Sequence, residues 1–147
     1  VVAVMGIVQH VTYNGFPYGS YSKINENIRS QMQAGDIVVH SSKLSYLPAF
    51  AMDRDLQQGF IVDLPNSNVD TLSPAIREAF QLIEYENIEE ASAQATRVWF
   101  VIFDQSIEEY TTNDYKTHPH LEYLDKNLTL QDTQQWNDIL VFLYTHP

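Results

Sequence analysis

Three apolar runs in this chain end abruptly in groups that could do chemistry. His40-Ser41-Ser42 follows Ile37-Val38-Val39, Asp63 follows Phe60-Ile61-Val62, and Asp104-Gln105-Ser106 follows Val98 to Phe103. An imidazole, a hydroxyl and a carboxylate in one crevice are the parts of a nucleophilic hydrolase, in which the base takes the serine proton and the acid orients the base. The G-x-S-x-G elbow that would mount such a serine on a strained turn is absent. Without it, the same residues read as turn and capping groups. His40, Ser41, Ser42, Tyr46 and Asp104 are therefore candidates for binding a substrate, and no catalytic residue is assigned.

His118-Pro119-His120, with His146 further on, is the only histidine cluster. Alternate imidazoles can share a metal, but a site needs at least one more ligand held by the fold, and Pro119 favours a helix start over a clamp. No metal is expected. The glycines stand apart at 6, 15, 19, 35 and 59, so neither G-x-G-x-x-G nor a Walker motif occurs and no nucleotide cofactor is expected. Tyr13, Phe16, Tyr18, Tyr21 and Tyr46 enrich the first third in rings, which stack on sugars, sit at a membrane boundary or close a small core. Asn127-Leu128-Thr129 matches a glycosylation acceptor, a tripeptide that also arises by chance.

Positioning these groups requires strands with helices between them. Asp36 to Val39 reads as a buried strand whose carboxyl end opens at His40. The helix before it is capped at Ser22, places Ile24, Ile28 and Met32 on one face, and stops at Gly35. A short helix with Pro48 in its first turn comes next, followed by a polar connection turning at Gly59. Phe60 to Leu64 is a second strand, closed by a loop over Pro65 to Asn68. Ser73-Pro74 is a helix start with Ile76, Phe80 and Ile83 on one side, and helical propensity runs on through Ala95 with a break near Asn87. Arg97 to Asp104 lacks alternation and should be a central strand covered on both faces. Short helices over Ile107 to Tyr115 and from Pro119 precede two late strands turning at Trp136 to Asp138, an antiparallel edge pair.

The expected fold is α/β: a three-layer, Rossmann-like open sheet, mostly parallel, with that antiparallel pair near the C-terminus. In such sheets ligands bind beyond the carboxyl ends of the strands. With 147 residues the chain is one domain's worth, divided into a segment at 1–19, either membrane-proximal or a first strand plus linker, and a single α/β domain at 20–147. A formal net charge of -11 repels phosphate backbones, which argues against nucleic acid, and the lack of cysteine excludes disulfides and thiol chemistry. Val1 to Val8 is apolar but too short to span a bilayer by itself.

Four stretches in this order carry a resemblance: Tyr18-Gly19-Ser20-Tyr21, Gln33-Ala34-Gly35-Asp36-Ile37-Val38-Val39, Ser45-Tyr46-Leu47-Pro48 and Arg97-Val98-Trp99-Phe100-Val101, with Val141-Phe142-Leu143-Tyr144 closing the chain. From about Tyr18 onward the sequence resembles the C-terminal domain of membrane glycosyltransferases related to the dolichyl-phosphate-mannose protein mannosyltransferases, glycosyltransferase family 39, and to the bacterial aminoarabinose transferase-like enzymes. The resemblance implies an extracytoplasmic domain of a multi-pass membrane protein that takes sugar from a polyprenyl phosphate, with Val1 to Val11 the tail or extension of the last membrane helix. In that family the catalytic acid belongs to the membrane portion, so this domain by itself is expected to be inactive. Its implied partners are that membrane portion and a glycan or protein acceptor. Two other readings stay open: a stand-alone α/β hydrolase using His40, and an acidic module that binds a basic protein.

Overall fold

The computed structural model describes residues 20–62, 72–113 and 115–147. The segment at 1–19, expected as membrane-proximal or as a first strand plus linker, lies outside them, as do Asp63 and the loop after it. In chain order the elements are α1 (Tyr21–Gln31), β1 (Asp36–His40), α2 (Lys43–Met52), β2 (Gln58–Ile61), α3 (Pro74–Phe80), β3 (Ile83–Tyr85), α4 (Ile88–Ser92), β4 (Arg97–Phe103), α5 (Asp104–Thr112), α6 (Pro119–Asn127), β5 (Thr129–Trp136) and β6 (Ile139–Thr145).

They build the expected α/β sheet, in the order β3-β2-β1-β4-β6-β5. Strands β1 to β4 are parallel neighbours, and β6 lies antiparallel to both β4 and β5. Right-handed crossovers account for the layering. The chain steps outward from β1 to β2 over α2 and returns from β3 to β4 over α4, so the two helices fall on opposite faces. On one face α1 and α2 seal Val38, Trp99, Val101, Val141 and Leu143 with Tyr21, Ile24, Ile28 and Ala49. On the other, α4 and α6 bury Val39, Val98, Phe100 and Ile102 beneath Ile88, Ala91, Leu121 and Leu124. Strand β4 is buried from Val98 through Ile102, which is why its sequence shows no alternation.

Several boundaries differ from the sequence reading, each for a local reason. The first helix starts two residues earlier than expected, with Ser20 rather than Ser22 at its N-cap position, and ends at Gln31. Pro48 sits inside α2 rather than in its first turn, because the helix already starts at Lys43. Gly59 is not a turn: it lies within β2, where any Cβ would press on the Tyr85 ring and on Ile83 of the neighbouring strand. The helix opened by Ser73 and Pro74 does not continue to Ala95. Gln81 takes a left-handed conformation with φ 53° that ends α3, β3 follows, and the Asn87 side chain caps α4 by accepting from the Glu90 amide at 2.8 Å.

The amino-terminal end of the sheet is fastened by one buried cluster. Asp36, first in β1, pairs in register with Arg97, first in β4. Its carboxylate accepts from Arg97 Nε at 2.9 Å, Arg97 Nη2 at 2.6 Å, the Trp99 indole at 3.1 Å and the Gln33 amide at 2.9 Å. Burial opposes the charge, but the hydrogen bonds from Arg97, Gln33 and Trp99 and the guanidinium charge outweigh it and hold the carboxyl below its ordinary range. Just before it, Gly35 adopts φ +87° so that its carbonyl accepts from Thr96 at 2.7 Å; a Cβ there would collide with Thr96 Oγ1.

Candidate functional site

The site follows from the strand order. Connections from β1 and β4 leave in opposite directions, over α2 and into α5, and a crevice must open between their carboxyl ends. A cleft of about 300 Å³ lies there, lined by Leu44 from the first turn of α2, Phe103 from the end of β4, Asp104, Gln105, Ser106 and Glu109 from α5, and Asp138 from the β5–β6 turn. The turn is held against the strand end by the Asp104 amide, which donates to the Asp138 carbonyl at 3.0 Å. Asn137, at φ 57°, provides the left-handed residue that so tight a hairpin requires.

Among the described residues, three carboxylates and no basic side chain line this cleft. Asp104 Oδ1 accepts from the Gln105 amide at 2.7 Å, placing a negative group at the positive end of α5. Gln105 Nε2 donates to Glu109 at 3.1 Å, one helical turn on. With an aromatic ring and a leucine as walls, the cleft offers hydrogen-bond acceptors above an apolar surface. That chemistry suits a polyhydroxylated or cationic ligand and repels a phosphate.

The five residues singled out in the sequence do not share this mouth. Asp104 lines it. Ser42 is half-buried at the start of α2, and Ser41 is buried, extending the ladder through its amide to the Val101 carbonyl at 2.8 Å. His40 and Tyr46 turn inward beneath α2. His40 is 1% exposed and Tyr46 likewise. Gln58 spends its own N–H on the Asp53 carbonyl at 3.2 Å, so its oxygen faces the imidazole and His40 Nε2–H donates to it at 3.0 Å. His40 Nδ1 meets the Ser45 hydroxyl at 3.2 Å, and that hydroxyl is also 3.2 Å from the Ser42 carbonyl. Burial pushes the imidazole down to about 4, only partly opposed by Gln58, so the ring is neutral at physiological pH. A serine–histidine contact thus exists, but Ser45 is 0% exposed and no substrate carbonyl can approach it. Tyr46 lies 5.7 Å from the His40 ring and 4.9 Å from Phe60, centroid to centroid, as part of the core.

Sequence reasoning reached Asp104, Gln105 and Ser106 as a strand end but missed Leu44, Glu109 and Asp138. Glu109 could have been found once α5 was seen to begin at Asp104, because it follows Gln105 by one turn. Asp138 carried no local signal, since only the long-range register Phe103–Ile139 brings it there.

The histidine cluster is structural in form. His118 caps α6, accepting from the His120 amide at 3.2 Å, and its ring lies 4.5 Å from that of Tyr110 and 4.6 Å from that of His120. Burial lowers both imidazoles to about 4, and for His120 the neighbouring His118 adds to the effect. Among the described residues no group of three or more potential ligands could hold a metal ion. Asn127 of the glycosylation tripeptide is exposed at the end of α6, its amide donating to the Tyr123 carbonyl at 2.8 Å. Among the described residues no helix is long and apolar enough to cross a membrane. No protein-family model matches the chain, and no curated protein matches it significantly.

Proposed function

We propose that this chain is a non-catalytic accessory domain of a membrane glycosyltransferase that uses a polyprenyl-phosphate-linked sugar, placed on the extracytoplasmic face and helping to bind the acceptor. One observation carries the reading. Three of the residues in which the sequence resembles that family, Asp36, Arg97 and Trp99, are not scattered likenesses: they meet in a single buried ion-pair cluster that joins β1 to β4. A pattern of residues serving one shared structural device is better support for kinship than the same count spread over unrelated positions. The inaccessible Ser45–His40 contact agrees with a domain that leaves bond-breaking to another part of its protein.

Acceptor binding falls to the cleft beside Asp104, whose carboxylates would take hydroxyl or amino hydrogens while Phe103 covers a sugar's apolar face. The test is sugar transfer by the full-length protein in membranes, measured with a polyprenyl-phosphate donor. D104N combined with E109Q should raise the acceptor KM about tenfold with little change in kcat, the pattern of lost ground-state binding. Unchanged transfer in that variant, or turnover of donor by the isolated chain, would overturn the proposal.

A further inference from the structure

The three carboxylates of the cleft are not alike. Asp104 accepts from the Gln105 amide and Glu109 from the Gln105 side chain, so each has a donor within the chain. Asp138 differs: its Oδ1 is buried, and among the described residues no donor reaches it. Tyr21, 2% exposed, lies near enough to feel the Asp138 charge, and its hydroxyl is likewise buried without a hydrogen-bond partner. Burial first, and then that charge, push the phenol above its ordinary range, so it stays protonated and can donate. Leaving such groups unmet is costly, and each calls for a partner beyond those the free chain supplies.

Chain path brings both groups to the cleft. Asp138 belongs to the β5–β6 turn that lines it, and Tyr21 opens α1 directly after Ser20, whose hydroxyl is 3.5 Å from the Asn137 amide nitrogen. The Tyr21 side chain shares a core cluster with Ile139, and Phe103 packs against that cluster. The unmet phenol therefore stands at the inner wall of a space whose outer rim is Asp104 and Glu109. What this space lacks is a cation that donates hydrogen bonds. Among the described residues no basic side chain lines it, and Lys43, the neighbour of Leu44, is buried outside the lining. A bare metal ion does not fit, since among the described residues no group of three or more potential ligands could hold one. A volume of about 300 Å³ is at the small end for a ligand pocket, room for one ring rather than a chain. Leu44 and Phe103 give it the apolar wall that the C–H face of a sugar needs and a flexible aliphatic amine does not.

We propose that the cleft binds a monosaccharide unit carrying a protonated amino group, its ammonium on Asp138, its ring against Leu44 and Phe103, and its hydroxyls donating to Asp104 and Glu109. The proposal rests on the accessory-domain reading for the presence of a sugar acceptor; the choice of an amino sugar over a neutral one is added to it. A charge-assisted hydrogen bond is about twice as strong as a neutral one, so the ammonium, more than any hydroxyl, decides affinity. Tyr21 is a positioning residue: a small turn of the Asp138 carboxylate toward the ligand lets the phenol donate to the inner oxygen and hold the new orientation.

The test is an NMR titration of the chain with glucosamine, N-acetylglucosamine and glucose at constant ionic strength and slightly acidic pH, following backbone amides. Glucosamine should shift the amides around Gln105 and Asp138 and bind about tenfold more tightly than the two neutral sugars, with an advantage that shrinks as salt is added. Asp138→Asn should remove that advantage while leaving glucose binding unchanged, and the remaining amides report whether the variant is folded. Glu109→Gln, on the exposed side of α5, is a second variant that does not depend on the turn and should weaken glucosamine about threefold. Tyr21→Phe should weaken glucosamine but not glucose, a split that a loss of packing would not produce. The proposal is overturned by equal binding of the three sugars, by glucosamine shifts confined to other parts of the chain, by undiminished glucosamine binding in both carboxylate variants, or by tighter binding of Nα-acetyl-lysine amide, which would assign the cleft to a basic peptide. Neutral-sugar binding with the acceptor KM still raised by D104N and E109Q would remove the amine preference and leave the accessory-domain reading standing; glucosamine binding with unchanged transfer would do the opposite.

Discussion

The Asp36 carboxylate and the Arg97 guanidinium, 61 residues apart in the chain, form a two-pronged ion pair at 2.6 and 2.9 Å between the first residues of adjacent parallel strands. Both oxygens are engaged by donors, and the Asp36 side chain has no solvent exposure. Removing one partner leaves the other charge without a counter-charge in a desolvated place. Arg97→Met should therefore cost about 3–5 kcal/mol in urea unfolding, and a double variant that also makes Asp36 apolar should recover much of that loss. Because the Asp36 carboxyl is held below its ordinary range, its contribution is intact above about pH 4 and declines as pH falls further.

Acid should begin to weaken the fold well above that range. His40, His118 and His120 are pushed down to about 4 by burial, whereas an unfolded chain takes up those protons near 6.5. Above 6.5 neither state is protonated there and stability is unaffected. Between 6.5 and 4 the unfolded chain binds protons that the folded one refuses, so each histidine removes about 1.4 kcal/mol per pH unit. Urea midpoints measured across this window should fall as pH is lowered, and His40→Gln should reduce the slope by about a third.

Gly35→Ala tests a backbone requirement. At φ +87° an L side chain is strained by about 1–2 kcal/mol, and here the added carbon also strikes Thr96. A loss of about 2 kcal/mol or more in thermal or urea unfolding is expected. Gly59→Ala should also destabilise, by crowding Tyr85 and Ile83 rather than through its backbone.

Tyr46 and Asp104 should separate cleanly. Tyr46→Ala empties a core position between His40, Phe50 and Phe60 and should cost about 3–5 kcal/mol. Asp104→Asn, at the rim of the cleft, should leave the melting temperature within a degree or two while altering ligand binding. Calorimetry of both variants checks the contrast.

Much of the architecture was legible because its signals are local. The unbroken apolar run of β4 declared a strand with two covered faces, and Ser73-Pro74 declared a helix start that the structure places at the same residues. β3 was hidden because its three residues follow a helix ended by a left-handed glutamine, a position where glycine or asparagine would have been the visible cue. The site was harder to read. His40 stands at a strand end, but strand alternation aims its side chain beneath α2, toward Gln58 and Ser45, and the type of a residue does not reveal which side of a sheet will hold its partners. Asp138 reaches the cleft only through a hairpin whose inner strand runs against β4.

That hairpin also bears on how the chain reaches its native state. Strands β5 and β6 are joined by a two-residue turn and can zip together early, and β1 can meet β2 across a short connection, whereas the pairing of β1 with β4 must wait for a strand that begins sixty-one positions later. During synthesis from the amino terminus, Asp36 leaves the ribosome long before the arginine that neutralises it. The contact that clasps the two halves of the sheet can therefore close only after β4 has emerged.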